Sequence, residues 1–265
     1  MYQNTPIHRN KSRLPIVSVL AFAGIVGTAF LPANAQLGTN LNFQAPDMGT
    51  TGNREAGAQR NDTCVDTSQA SGMMALVPDS NIGLTSEASP DLFAYIPPNK
   101  AEKAELRIFN EATGEEVYAG EFTLPENSAS ADYPYGASVV KLPLSGASVR
   151  LDAGEPYIWA VFVVCDSANR AQDIVVDVTV QRADESYVNT LSADIKAQLD
   201  TIEMASSEDK VLAYSSAGLW HDLLSELSSD PVVYSEVWAD LLIDQGMEAI
   251  ADAPVFTTTF SAIKP

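Results

Sequence analysis

From Met73 to Arg182 the hydrophobic and polar positions alternate with a period of two. Leu92, Ala94 and Ile96 alternate with Phe93 and Tyr95, and Ala104, Leu106 and Ile108 alternate with Glu105 and Arg107. Tyr118, Phe122 and Leu124 share a face opposite Glu121 and Thr123, and Ile174, Val176, Val178 and Val180 share one opposite Asp177, Thr179 and Gln181. A strand points successive side chains to opposite faces, so this pattern predicts half-buried strands with Glu105 and Arg107 in water. The run Tyr157 to Cys165 is nearly all apolar and predicts a central strand covered on both faces, with Trp159 and Cys165 on the same side. Asn110 to Glu115, with Gly114 able to take a positive φ, reads as a hairpin loop. Many short strands with Pro and Gly turns and no helical pattern between them predict an antiparallel β-sandwich of immunoglobulin-like order.

After Arg182 the period becomes helical. Ser192 is placed to cap a helix carrying Ile195, Leu199 and Ile202, and Ser206 to Asp209 resembles a capping box. Leu212, Ser216, Trp220, Leu223, Leu224 and Leu227 then fall on one stripe, with Gly218 as a bend. Asp230-Pro231 reads as an N-cap with Pro at the first helical position. Tyr234, Val237, Trp238, Leu241 and Leu242 form the stripe behind it, Gly246 the stop, and Met247 to Ala251 a short final helix. The fold class expected is therefore α+β, an N-terminal sandwich followed by a small C-terminal helical domain docked on it.

The N-terminus changes the picture. His8, Arg9, Lys11 and Arg13 precede an apolar run from Leu14 to Leu31, followed by Pro32 and Ala33-Asn34-Ala35. A basic flank, an apolar middle and small residues at −3 and −1 are what a signal peptidase reads, so cleavage is expected after Ala35. The competing reading is a membrane anchor, which Gly24, Gly27 and Pro32 weaken. The expected organisation is a signal peptide (1–35), a flexible Gly/Asn/Gln-rich leader (36–71), the sandwich (72–185) and the helical domain (186–265). No membrane span is expected to remain after cleavage, and the mature protein belongs in the periplasm or outside the cell.

Charge narrows the partners. The chain has 15 Lys and Arg against 35 Asp and Glu, a formal net charge of −20. Losing the three cations of the signal peptide, which holds no acid, takes this to −23. Such a surface repels phosphate backbones, which argues against nucleic acid as a partner. The two cysteines, Cys64 and Cys165, are expected to form one disulfide in an oxidising compartment, the alternative being two free buried thiols.

Several runs resemble a known family. They are Leu76-Val77-Pro78, Gly83-Leu84-Thr85, Ser89-Pro90, Phe93-x-Tyr95-x-Pro97, Gly154-x-x-Tyr157-x-Trp159, Cys165-Asp166, Arg170 and Val180-Gln181-Arg182. Gly218-Leu219-Trp220-x-Asp222-x-Leu224 and Trp238-x-x-Leu241-Leu242 continue the same order. Together they are similar to the domain-of-unknown-function family 928, known mainly from cyanobacteria. That resemblance implies a Gram-negative envelope and assigns no activity.

Candidate chemistry is sparse. His221 is the one histidine left after signal cleavage, which excludes sites needing two, such as the H-E-x-x-H zinc helix. No G-x-S-x-G elbow is present. Asp166 and Asp173 flank a loop but lack the spacing of a calcium loop, so turn formation is the expected role, with Arg170 as an ion-pair partner. Trp159, Trp220, His221 and Trp238 are the candidates for an interaction surface or for the seam between sandwich and helices. No catalytic residue, metal or cofactor is expected. The function expected is a non-enzymatic envelope module binding a protein or glycan, with a glycan or peptide hydrolase and a structural envelope component as alternatives.

Overall fold

The computed structural model describes residues 41–49, 54–56, 64–66, 68, 71–79, 82–101, 103–127 and 130–263. The expected signal peptide and its cleavage site lie outside the described residues. The described residues belong to one compact unit.

Among the described residues ten strands build two sheets. They are β1 (Met74–Ala75), β2 (Gly83–Thr85), β3 (Asp91–Ile96), β4 (Lys103–Asn110), β5 (Glu116–Phe122), β6 (Ser138–Pro143), β7 (Pro156–Val164), β8 (Ile174–Arg182), β9 (Val255–Thr257) and β10 (Phe260–Ala262). One sheet runs β1-β3-β6-β9 and the other β10-β5-β4-β7-β8-β2. Five helices lie between β8 and β9: α1 (Glu185–Thr190), α2 (Ala193–Asp200), α3 (Ser207–Ser216), α4 (Trp220–Leu227) and α5 (Ser235–Asp244). The fold is thus mixed α+β, with its helices toward the C-terminus.

Two hydrophobic clusters define the layers. The first joins Leu92, Ala94 and Ile96 of β3 and Val140 and Leu142 of β6 to Leu106, Ile108, Trp159, Val161, Val176 and Val178 of the larger sheet. The second joins Phe93 and Tyr95, the alternate side chains of β3, to Trp220, Leu223, Leu224, Trp238, Leu241 and Leu242 of the helices. The small sheet is therefore the middle layer, apolar on both faces. This explains why the β3 run Leu92 to Ile96 lacks the polar alternation of a half-buried strand.

Pairing departs from the antiparallel expectation at two places. β2 lies parallel to β8 (Gly83↔Val180), and β9 lies parallel to β6 (Val139↔Val255). Both are short edge strands, three residues each, whose polarity is set by the connections feeding them. β9 and β10 also end the segment read as wholly helical: after the helices the chain returns to place one strand on each sheet.

Local signals mostly hold. Ser192 and Ser206 accept hydrogen bonds from the backbone N–H groups of Ile195 and Asp209, capping α2 and α3. Gly114 (φ 69°) sits in the β4–β5 hairpin and Gly246 (φ 72°) follows α5. Asp230 accepts from the N–H groups of Val232 and Val233 and so closes a turn, and α5 begins only at Ser235. The long stripe expected around Leu212 breaks at Gly218 (φ 67°), where the left-handed backbone ends one helix before α4 begins. The break resets the helical phase: Leu212 is exposed, and Val211, Ala213 and Tyr214 are buried in its place.

Within the segment read as a leader, Leu41 and Phe43 are buried against the helices, with Phe43 edge-on to Trp220 at a centroid distance of 5.0 Å. Arg54 donates to the carbonyls of Gln245 (2.8 Å) and Gly246 (3.3 Å), satisfying the C-terminal end of α5. Cys64 and Cys165 are joined in a disulfide with their Cα atoms 5.2 Å apart, as the even cysteine count predicts. No helix among the described residues is long and apolar enough to cross a membrane.

Candidate functional site

The four candidate residues divide between the two clusters. Trp159 lies wholly inside the sheet–sheet core, its indole N–H without a partner, and so is not at the seam. Trp220 and Trp238 belong to the seam between the middle sheet and the helices. Trp220 donates its indole N–H to the Leu76 carbonyl at 2.8 Å, tying α4 to the segment after β1, and Trp238 packs against Phe93 at 5.9 Å. Both are packing elements at that junction.

His221 differs. It follows Trp220 at the start of α4, is fully buried, and neither ring nitrogen makes a hydrogen bond of normal geometry, although the Asp91 backbone lies near enough to favour its proton. The ring lies so close to β2 that a Cβ on Gly83 would fall 2.5 Å from Nε2, so only glycine permits this approach. Burial lowers the imidazole pKa from 6.5 to about 4, against Asp91, whose backbone and charge favour the proton. His221 is therefore neutral at neutral pH, one nitrogen a donor and the other an acceptor.

Next to it, Asp222 is buried and turned toward the β2–β3 connection. It accepts from the Ser86 N–H at 3.0 Å and from the Ser86 hydroxyl. Burial raises its pKa from 3.8 to about 6, although the bonds from Ser86 and Thr85 pull the other way. One turn along α4, Ser225 donates its hydroxyl to Asp91, which also pairs with Lys141 of β6 at 2.7 Å.

His221, Asp222, Ser225 and Asp91 line a cavity of about 280 Å³ where the β2–β3 connection meets α3 and α4. Thr85, Glu87, Ser89 and Asp91 line it from the sheet side, and Glu203, Lys210, Tyr214, His221, Asp222, Ser225 and Glu226 from the helical side. Glu87, Glu203 and Glu226 make no ion pair among the described residues, and Lys210 is the one cation in the lining. Burial, and then the charges of Asp222, Glu87, Glu226 and Glu203, push the Tyr214 phenol well above its ordinary pKa, so it stays a neutral donor. Among the described residues no three His, Cys, Asp or Glu converge to hold a metal ion.

Sequence reasoning singled out His221 but not Asp91, Ser86, Asp222 or the glutamates. In a chain with 35 acids no carboxylate pair stands out, and the partners here come from positions more than a hundred residues apart. The junction itself was named as the place to look, on the rule that pockets form where layers meet.

A second buried carboxylate corrects an expectation. Glu105, read as facing water, is fully buried on the outer face of β4. It accepts from Arg170 (3.1 and 3.0 Å) and Arg107 (3.2 Å) and pairs with Lys103 (3.1 Å). Burial alone would raise its pKa, but the hydrogen bonds from Arg170, Lys103 and Arg107 outweigh it and hold the carboxyl below its usual range. Arg170 also donates to Asp173 at 2.6 Å, the ion pair the loop spacing suggested. Neutralised on every side, Glu105 has no capacity left for a ligand.

No curated protein and no solved structure matches the chain. A family model does, over residues 55–255, a span that takes in β1 to β8 and all five helices and ends at the first residue of β9. The chain therefore belongs to the family described as Domain of Unknown Function (DUF928), as the motif resemblance indicated.

Proposed function

We propose that this protein is an exported, non-enzymatic binding module of the cell envelope that takes a glycan at the cavity between the β2–β3 connection and helices α3 and α4. The observation that carries the reading is His221: a buried imidazole with two unpartnered nitrogens, at a polar cavity on a packing seam. An unsatisfied buried polar atom costs about 1–3 kcal/mol, and such costs persist where function requires them. The lining alternates carboxylates, hydroxyls and a phenol, and carboxylates accept paired hydrogen bonds from neighbouring sugar hydroxyls. Its volume of about 280 Å³ lies just below the range typical of drug-sized ligands, which fits one sugar unit better than a folded partner.

Export is part of the same reading. The Cys64–Cys165 bond closes a loop of 101 residues, and such bridges persist where thiols are oxidised. The paired sheets serve as an immunoglobulin-like scaffold, with the parallel edge strands β2 and β9 as its departures. The hydrolase alternative is weaker because Ser86 and Ser225 donate to Asp222 and Asp91 rather than to the imidazole, whereas a Ser–His nucleophile needs that bond.

A glycan array probed with the disulfide-bonded protein tests the proposal. Retention of specific glycans, lost in His221→Leu while thermal unfolding is preserved, is the expected result. An array on which wild type and variant behave alike would reject it.

A further inference from the structure

We infer that the cavity selects a sugar carrying a free ammonium group: an amino sugar of monosaccharide size, its charge held by the glutamates and its hydroxyls by Tyr214, Ser225 and the His221 region. This rests on the glycan reading above and narrows it to one chemical class.

The charge balance of the lining sets the sign of the ligand. Of its carboxylates, Asp91 is neutralised by Lys141 at 2.7 Å and Asp222 is engaged by Ser86. Glu87, Glu203 and Glu226 remain, contributed by the β2–β3 connection, the turn before α3, and α4. Against them stands Lys210 alone. A cleft lined by one sign of charge focuses its field and concentrates ligands of the opposite sign. The protein's overall charge of −20 adds to the same potential.

The arrangement of those charges sets the kind of cation. They come from three separate segments, and no three acidic or histidine groups among the described residues are close enough for a metal ion. A rim of separated carboxylates suits an organic ammonium, whose three donors can reach acceptors in different directions. The remaining lining is Pro90, the neutral Tyr214 phenol and the hydroxyls of Thr85, Ser89 and Ser225; Ser89 and Ser225 donate their protons to the Val149 carbonyl and to Asp91, which leaves their oxygens as acceptors for a ligand's hydroxyls. A simple amine would leave these polar groups unmatched, and a site built for hydrogen bonding discriminates strongly against ligands that lack the partner. His221 is the independent sign that this is a site and not merely an acidic surface, since it lines the cavity with neither nitrogen bonded.

The test is titration calorimetry with NMR mapping on the disulfide-bonded protein, using glucosamine, N-acetylglucosamine, glucose and the diamine cadaverine as probes. Glucosamine is expected to bind at least about tenfold more tightly than the other three, a difference corresponding to one charge–dipole or ion-pair contact. Glu87→Gln with Glu226→Gln, both at solvent-reaching positions, is expected to abolish that preference and leave the unfolding temperature unchanged. Glucose or N-acetylglucosamine binding as well as glucosamine would overturn the charge inference and leave the glycan reading standing. Cadaverine binding equally well would overturn the sugar part. Failure of every probe to shift the seam resonances would overturn this inference, and the array result then decides the broader reading separately.

Discussion

The molecule buries ionisable groups in two places and treats them in opposite ways. On the outer face of β4, Glu105 is wholly enclosed by Arg170, Arg107 and Lys103, and its pKa is held down. At the seam, His221 makes no hydrogen bond of normal geometry and Asp222 has only hydroxyl and amide donors, and both are pushed toward their neutral forms. A carboxylate matched by cations is committed to structure, because any rearrangement would strand a charge in a low dielectric. A neutral, under-satisfied imidazole at a cavity keeps hydrogen-bonding capacity that a ligand can use, at a cost in stability. The difference between the two sites, and not the presence of buried charge as such, is what points to function.

The largest expected effect comes from breaking the satisfied site. Glu105→Gln keeps the shape but leaves three cations against a neutral amide, and should cost about 3 kcal/mol, the lower end for a broken buried pair because the cations reach solvent. Urea unfolding measures this, and glycan binding at the seam should be untouched. A cost below about 1 kcal/mol would put Glu105 among surface ion pairs and erase the contrast.

The seam should respond oppositely. His221→Leu removes two unpartnered polar atoms from a fully buried position, so stability at neutral pH should change by less than about 1 kcal/mol in either direction, while binding is lost. A loss of more than about 2 kcal/mol would mean that the imidazole holds the fold, and the two sites would then be alike.

The smallest effect in the wild type is a pH slope, because two opposed titrations nearly cancel there, and each variant uncovers one of them. His221 takes up its proton less readily folded than unfolded (about 4 against 6.5), so its contribution to stability rises with pH across that window. Asp222 holds its proton more tightly folded than unfolded (about 6 against 3.8), so its contribution falls with rising pH. In the wild type the two largely offset each other between about pH 4 and 6. In Asp222→Asn stability should therefore climb from about pH 4 to 6.5, and in His221→Leu it should decline from about pH 4 to 6. Denaturation midpoints recorded across this range check both, and slopes of the same sign would show that the seam is not where these protons are exchanged.

The layered fold has a further consequence for reading the chain. Ala104, Leu106 and Ile108, and Val176, Val178 and Val180 of β8, face the core as alternation predicts, because the larger sheet has one face toward solvent. β3 obeys the same alternation with both of its sides buried, and nothing in the apolar run from Leu92 to Ile96 announces that helices cover the second face. Glu105 sits at a position where alternation calls for water. Its burial depends on Arg170 folding over β4 from a loop 65 residues away.

What local order controls was legible from the residues alone. The period-two and helical segments, the caps at Ser192 and Ser206, the stops at Gly114 and Gly246 and the pairing of Cys64 with Cys165 all follow from short-range sterics, hydrogen bonding and cysteine number. The tertiary structure alone decided which sheet lies in the middle, that β9 and β10 return to the sheets, and that His221 and Asp222 meet Gly83, Ser86 and Asp91 around one cavity. The physical reason is that desolvation and partner choice are set by chain segments remote in sequence, and the state of a buried ionisable group is defined only once those segments close around it.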